Sequence, residues 1–490
     1  MKEKVNTQFD KNKRRDFLKK SLATVGGITI IPSHTIFAGK QIWNNEAQSF
    51  GKTYLPSEKV NLACIGIGHQ GGNISKALYN SGLANIVALC DVDMGADHTK
   101  EVIEMFPNVP RYKDFREMFD KMGDKIEAVS VGTPDFSHFP ITMLAMSMGI
   151  HVYVEKPMAR TFNEVELMMK AAKKYNVHTQ MGNQGHSGAN YFQFKAWKDA
   201  GIINDVTAIT AHMNSKRRWH GFDSSITKFP PAEPKPKTLD WDTWLSAAEH
   251  HDYNKDYHHG QWRCWYDFGM GALGDWGAHL LDTAHEFLEL GLPTEIKALR
   301  LDGHNSFFFP YSTTLEFKFP ERGSMPPVDI TWYDGLDNLP PLPEGYTANA
   351  LDPNIPAPSD GQLKVGKLKP GKIIYGKDMT FKGGSHSSTL DIVSSKNNMH
   401  KDMKLPFVPE STSNHYENFL KACKGEEKCR SSFDIAGPLS QVFTLGVLAQ
   451  RLSTNLVFDP ETKQITNNEI ANRMLVGTPP RKGWEMYYEL

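Results

Sequence analysis

Val60-Asn61-Leu62-Ala63-Cys64-Ile65-Gly66-Ile67-Gly68-His69-Gln70-Gly71 is the stretch that decides the fold. Its first half, Val60–Gly66, is short and apolar without alternation, the pattern of a parallel strand covered on both faces. It runs directly into a G-x-G-x-x-G. In that spacing Gly66 permits a tight turn, Gly68 lets a pyrophosphate approach the backbone, and Gly71 lets a helix pack on the strand. The helix that opens there offers free N–H groups and a positive dipole end to phosphate. A second apolar strand, Ile86–Cys90, ends at Asp91, about 20 residues downstream, where an acid can hold the adenosine ribose hydroxyls. No arginine follows at once to take a 2′-phosphate, so NAD is expected in preference to NADP.

Strands and helices keep alternating beyond Asp91. Ala128–Val131 reads as a strand, His138–Met148 as a helix, His151–Glu155 as a strand, Thr161–Tyr175 as an amphipathic helix and Val177–Met181 as a last short strand. This alternation predicts an α/β fold with a doubly wound parallel sheet, whose ligands gather at the C-terminal ends of the strands. The loops at those ends are Gly66–Gly72, Asp91–Asp93, Gly132-Thr133-Pro134 and Glu155-Lys156-Pro157, and all four are expected to face one crevice. The expected cofactor contacts are therefore Gly66, Gly68, His69, Gln70, Gly71, Asp91, Thr133, Pro134, His138, Glu155 and Lys156.

Bulk composition narrows the class. The 490 residues are 40% hydrophobic and 23% charged, which excludes wholesale disorder and a polytopic membrane chain. Lys and Arg number 55 against 56 Asp and Glu, so there is no basic footprint for nucleic acid. The five cysteines (Cys64, Cys90, Cys264, Cys423, Cys429) are too few for a disulfide scaffold. Cys423 and Cys429 are close enough in sequence to pair in an oxidising compartment. Residues 11–20, KNKRRDFLKK, precede a mostly small or apolar stretch to Ala38. A basic region followed by an apolar stretch too short for a comfortable membrane span describes a secretory signal. The pair Arg14-Arg15 ahead of Phe17-Leu18-Lys19 resembles the twin-arginine signal, which carries folded proteins, and implies export to the periplasm. Ile36-Phe37-Ala38 is a poor cleavage site, which leaves an uncleaved anchor open. Residues 1–38 are thus assigned to the signal and 39–58 to a linker, and no membrane span is expected in the mature chain.

Two further segments carry chemistry. Glu155-Lys156-Pro157 follows a strand about ninety residues beyond the glycine fingerprint, and Gly271-Ala-Leu-Gly-Asp275-Trp-Gly-Ala-His279-Leu-Leu-Asp282 contains a D-x-x-x-H. Together they resemble the Gfo/Idh/MocA family of sugar and cyclitol oxidoreductases. Gln180-Met-Gly-Asn-Gln-Gly-His186 and Gln261-Trp-Arg-Cys-Trp resemble its exported bacterial branch. The resemblance spans about Val60 to Ser453. It implies a Rossmann domain, placed at 59–182, and a C-terminal α/β domain on a large, mainly antiparallel sheet, placed at 183–460. A homo-oligomer joined through that second sheet is expected. Residues 461–490 are expected to pack back on the body, given Trp484, Tyr487 and Tyr488.

The residue types suit alcohol oxidation. Removing a hydroxyl proton while hydride leaves the same carbon calls for a base that titrates near working pH, and His is the usual choice. Asp275 and His279 stand four apart and share one helix face. Asp275 can bind a substrate hydroxyl or orient the imidazole, and Asp282 shares the same face. Lys156 offers an ammonium to a developing alkoxide. Lys156, Asp275 and His279 are the candidate catalytic residues, although an Asp–His pair at this spacing on its own is far more often a surface pair than a catalytic one.

Seven of the ten tryptophans lie between Trp197 and Trp276. Trp219, Trp241, Trp244, Trp262, Trp265 and Trp276 are interleaved with Lys216-Arg217-Arg218, His220, Asp242 and Arg263. Aromatic faces with polar neighbours suit a carbohydrate, although large aromatics also brace loop-rich segments. Asn183, Arg263, Trp262 and Asp282 are the candidate substrate contacts. His250, His251, His258 and His259 lack metal-ligand spacing, so no metal is expected.

Residues 296–334 alternate like antiparallel strands, 337–370 form a Pro-rich loop, strands resume at Lys372–Tyr375 and Met379–Lys382, and helices follow at His415–Cys423 and Ile435–Leu452. Export would separate the enzyme from soluble NAD. A tightly held cofactor, regenerated in each cycle, is therefore expected. Three functions fit: NAD-dependent oxidation of a sugar hydroxyl; redox-neutral glycoside cleavage through a transient keto-sugar, with a second base from a Tyr or His in 186–266; and carbohydrate binding without catalysis.

Overall fold

The apolar run that opens the fingerprint forms β1 (Val60–Ile65), hydrogen-bonded in parallel to β2 (Ala84–Cys90) on one side and β4 (Ala128–Val131) on the other. β3 (Arg111–Tyr112), β5 (His151–Val154) and β6 (Thr179–Met181) complete a six-stranded parallel sheet in the order β3-β2-β1-β4-β5-β6. In this computed structural model the described residues are 55, 58–213, 225–258, 261–335, 338–346 and 369–490. The signal segment, the linker other than Leu55 and Glu58, and most of the Pro-rich 337–370 stretch lie outside them, as do Lys216-Arg217-Arg218, Trp219, His220 and His259.

The strand order reverses between β1 and β4, where β1 continues into the His69–Asn80 helix. Gly66 there has φ +74°, a conformation that side chains with a Cβ resist. A Cβ on Gly71 would lie 2.0 Å from the Gly66 carbonyl oxygen, so only glycine lets the helix descend this far onto the strand ends. The Phe162–Tyr175 helix is bounded by a Thr161/Glu164 capping box and a left-handed Asn176, which explains why its amphipathic pattern was readable with its limits. The Asp97–Met105 and Phe115–Met122 helices were not anticipated; both are short, and the first buries only Thr99 and Val102, although the second carries a regular apolar face of Phe115, Met118, Phe119 and Met122.

The second sheet has nine strands in the order β13-β12-β11-β7-β10-β9-β8-β14-β15. They are β7 (Ala208–Met213), β8 (Glu295–Asp302), β9 (Ser312–Phe319), β10 (Val328–Asp334), β11 (Gly371–Tyr375), β12 (Met379–Gly384), β13 (Leu390–Ser395), β14 (Leu456–Asp459) and β15 (Gln464–Ile465). β10 pairs with β7 in parallel and the other neighbours are antiparallel. The Gly271–Leu280 and Phe433–Leu452 helices lie on this sheet. They approach closely because a Cβ on Gly277 would meet the Phe443 ring at 2.6 Å, and one on Gly446 would meet Leu273 at 2.5 Å. The Phe433–Leu452 helix also packs on Phe162–Tyr175, so a single apolar core runs across both sheets.

Two late segments return to the first sheet. The His415–Cys423 helix buries Phe419, Leu420 and Cys423 with Val60, Leu62 and Tyr153. The tail sets Trp484 and Tyr487 against Phe115, at ring separations of 6.0 and 6.4 Å, and Tyr488 against Phe139 at 4.5 Å. Cys423 and Cys429 are free thiols in this structure, and both pack on the apolar cluster beneath the helix. No helix among the described residues is long and apolar enough to cross a membrane.

The Gly71–Gly132 approach yields a stability prediction. A Cβ on Gly132 would stand 2.6 Å from the Gly71 Cα, in a contact between two backbones that cannot rotate away. Gly132→Ala is expected to destabilise the protein by about 1–3 kcal/mol, the cost of overpacking a closed site. The shift of the urea-unfolding midpoint measures it.

Candidate active site

The loops at the C-terminal strand ends line one crevice with a cavity of about 540 Å³. Its walls include Gly66, Gly68, His69, Gln70, Asp91, Thr133, Pro134, Glu155 and Lys156 from the first domain. Trp262, Arg263, Trp276, His279 and His386 face them from the second. The crevice follows the strand-order reversal, where ligands of open α/β sheets bind.

At one end, Asp91 Oδ2 accepts from the Ile67 N–H and Oδ1 from the Asp93 N–H, both at 2.9 Å. Burial pushes its carboxyl pKa up, against the pull of those two N–H groups. Each oxygen keeps a second lone pair for a ribose hydroxyl. His69 and Gln70 are exposed at the crevice mouth, and His69 stacks on His98 at 4.9 Å. A side chain at Gly68 would strike the His98 ring, 2.2 Å from Cδ2. The glycine turn on a helix N-terminus, the Asp91 carboxylate and a cavity lined from Asp91 to Lys156 together fit a dinucleotide.

His138 differs from the expectation. It is fully buried and does not line the cavity; its ring nitrogens lie 2.9 Å from the Pro157 carbonyl and 2.8 Å from the Thr133 carbonyl. Burial lowers its pKa to about 4, although both carbonyls act in the opposite direction. It ties together two of the strand-end loops and would touch a cofactor only through them. Glu155 is held by Gln184 Nε2 at 2.8 Å, and burial raises its pKa.

At the other end Lys156 Nζ donates to Asp275 Oδ1 at 2.7 Å and to the Asp275 carbonyl at 3.0 Å. Arg263 Nε lies 3.7 Å from the same carboxylate oxygen, and its guanidinium sits 4.0 Å above the Trp262 ring. Two cations around one carboxylate favour an oxyanion formed beside them. Asp275 is 1% exposed and His279 5% exposed. Lys156 and His279, drawn from two domains, thus both line the cavity, while Asp275 is buried behind the lining and reaches it through Lys156.

Asn183 and Asp282 are not brought there. Both are buried and absent from the cavity lining. Asn183 Nδ2 lies 3.4 Å from Asp282 Oδ2, which is 3.2 Å from His186 Nδ1, and Glu286 is 2.6 Å from His186 Nε2. The Gly271–Leu280 helix ends before Asp282, which opens the Asp282–Phe287 helix. Helix periodicity carried through that break had put Asp282 on the His279 face.

The tryptophans divide. Trp244, Trp262 and Trp276 line the cavity, but Trp244 and Trp262 are also buried, with Trp241 and Trp265, in an aromatic cluster containing Phe136, Tyr257, Phe268 and Phe308. Trp241 and Trp244 stack at 4.4 Å. This cluster braces the 225–268 segment over the crevice. His251 pairs with Asp267 at 3.1 Å, and no group of three or more His, Cys, Asp or Glu among the described residues has a metal-holding arrangement.

One cavity residue had no signal in the sequence. His386, on the turn between β12 and β13, stacks on His279 with ring centroids 4.0 Å apart and planes at 15°. Its surroundings, Lys382-Gly-Gly-Ser-His386-Ser, carry neither periodicity nor a motif.

Comparison with known proteins agrees with this architecture. Residues 60–183 match a family model described as an oxidoreductase family with NAD-binding Rossmann fold. Residues 194–298 match its C-terminal alpha/beta domain. A glycosyl hydrolase family 109 protein of Shewanella sp. (strain ANA-3) is 26% identical over 164 residues, 31% of this chain and 35% of that one. The D-glucoside 3-dehydrogenase of Escherichia coli is 27% identical over 161 residues, 33% of this chain and 45% of that one. The chain thus matches less than half the length of these curated relatives. The WlbA dehydrogenase of Bordetella pertussis, solved with NADH and UDP-GlcNAcA, superposes with a TM-score of 0.54 at 13% identity, over 82% of this chain and 99% of that one. At that identity it is the fold that is shared.

The buried His186 gives a pH prediction. Burial alone would lower its pKa, but hydrogen bonds to Asp282 and Glu286 prevail and raise it to about 9 from 6.5. The folded state holds this proton more tightly than the unfolded state. Its stabilisation is complete below about pH 6.5 and is lost as pH rises toward about 9, a difference on the order of 3 kcal/mol. His186→Gln is expected to flatten the fall in unfolding free energy across that interval, as read by urea titrations at both ends.

Proposed function

The chain belongs to the Gfo/Idh/MocA oxidoreductase family, and from that premise we propose that it oxidises a secondary hydroxyl of a sugar or glycoside using a tightly held NAD. The observation that carries the proposal is that Lys156 and His279 both line the dinucleotide crevice, with the Lys156 ammonium held by the buried Asp275 carboxylate. The bound nicotinamide supplies the hydride acceptor. His279 takes the hydroxyl proton. Lys156, fixed by Asp275, faces the oxygen as charge develops on it, in a site already biased to anions by Arg263. Asp275 has two roles open to it, holding Lys156 and accepting a substrate hydroxyl through its remaining lone pairs. Trp262 and Trp276 offer apolar faces to a sugar ring. Asp91, Gln70 and the Gly66–Gly71 turn hold the cofactor.

A redox-neutral glycosidase or lyase is the second reading, favoured by a further imidazole in the cavity, His386. Non-catalytic sugar binding is disfavoured because an ammonium, a carboxylate and an imidazole are all assembled at the crevice.

His279→Ala is expected to lower reduction of bound cofactor by a glycoside about 10²–10⁴-fold, with the cofactor still bound. The near-ultraviolet absorbance of the reduced nicotinamide measures this, and undiminished reduction would sink the role. Incubation with glycosides in heavy water without added NAD separates the two readings. Turnover that requires added NAD or a second carbonyl acceptor supports the oxidoreductase. Release of the aglycone with deuterium beside the oxidised carbon supports cleavage. We also propose that the Arg14-Arg15 segment exports the protein. Replacing both by Lys is expected to retain it in the cytoplasm, as read by cell fractionation.

A further inference from the structure

The His386 imidazole faces the same cavity as His279 and lies parallel to it, with ring centroids 4.0 Å apart and planes at 15°. Its placement is built. The His386 N–H donates to the His279 carbonyl at 3.0 Å, coupling the turn to the Gly271–Leu280 helix. Its φ is +58°, and Gly185 leaves room for the backbone, since a Cβ there would lie 2.6 Å from the His386 carbonyl carbon. Trp276 meets the ring edge-on at 5.5 Å, and Ser385 Oγ lies 3.0 Å from Nδ1. Two stacked imidazoles 4.0 Å apart on one cavity wall are close enough to serve adjacent positions of a single molecule bound there. A base beside the site of alcohol oxidation has a specific use. Once one ring carbon is a ketone, the C–H on the adjacent carbon becomes acidic.

We infer that His386 is a second catalytic base, which takes the proton from the carbon adjacent to the one oxidised at His279. This inference rests on the oxidation proposed above. In the step, the adjacent C–H bond breaks, the proton passes to an imidazole nitrogen of His386, and the electron pair conjugates into the carbonyl as an enolate. Lys156 and Arg263 face the resulting charge. Return of the proton restores the ketone. Where a glycosidic oxygen is attached one carbon further on, the pair instead forms a C=C bond, the C–O bond breaks, and the departing oxygen takes a proton from water.

This proposal places the second base on a different element from the 186–266 segment in which one was expected. His186 is buried between Asp282 and Glu286, and Tyr257 and Tyr266 are buried. His258 also lines the cavity, edge-on to Trp244, and His220 and His259 lie outside the described residues; what singles out His386 is its stacking on His279.

The test starts from an already oxidised sugar, a keto-glycoside, which the purified protein meets in heavy water. Deuterium entering beside the carbonyl is followed by proton NMR, and binding of the keto-glycoside by calorimetry. His386→Gln is expected to lower exchange at least about 100-fold, the usual contribution of a positioned base, while binding weakens by less than about tenfold. Exchange that persists in the variant overturns the proposal. Exchange and binding lost together also overturn it, because His386 would then be a binding residue. Thermal melting and bound-cofactor content establish that the variant is folded. The oxidation proposal fails separately: no glycoside would reduce the bound cofactor of the unmodified protein, even though the keto-glycoside still exchanges.

Discussion

Lys156 and Asp275 meet at 2.7 Å with side chains 11% and 2% exposed, and the geometry of the whole crevice is organised around that contact. Removing an ammonium and a carboxylate from water is costly unless each keeps its partner and its hydrogen bonds. The pair therefore tolerates little separation between the element that carries the lysine and the helix that carries the aspartate. Lys156 follows β5, whereas Asp275 lies mid-helix on the second sheet. The second hydrogen bond, to the Asp275 carbonyl, and the approach of Arg263 complete the shell around the carboxylate.

What holds the two sides at that distance is apolar packing. The Phe433–Leu452 helix touches both the Phe162–Tyr175 helix of the first domain and the Gly271–Leu280 helix of the second. Gly277 and Gly446 set how closely the Gly271–Leu280 and Phe433–Leu452 helices approach, because any Cβ there would meet an aromatic ring or a leucine. The same core therefore aligns Asp275 with Lys156 and leaves His279 facing the cavity. A charged contact supplies the chemistry, and small residues at a helix crossing supply its position.

Much of the first domain was legible because its signals are local. Gly66 and Gly71 are glycines for steric reasons within a few residues of one another, Asp91 follows its strand directly, and Thr161 and Glu164 cap their own helix. The site was legible in part. Lys156 and His279, picked out by motifs, line the cavity and Asp275 is bound to Lys156 behind it, whereas Asp282 was misplaced because a helix break after Leu280 is invisible to periodicity. The tryptophans were found as a cluster, yet Trp241 and Trp265 bury themselves among other rings rather than lining the cavity. His386 was missed because its position depends on the register of β12 with β13 and on a turn docked against Gly185.

By itself the sequence determined the parallel sheet, the dinucleotide turn and the residue types available for hydride and proton chemistry, since each is encoded by neighbours along the chain. Only the tertiary structure decided which residues share the cavity. The pairing of Lys156 with Asp275 spans 119 residues, and His386 reaches His279 from a different strand pair. The return of the His415–Cys423 helix to β1 was likewise settled by packing. Contacts of that kind arise from burying apolar surface and satisfying buried charge across the whole molecule, a condition that no local pattern records.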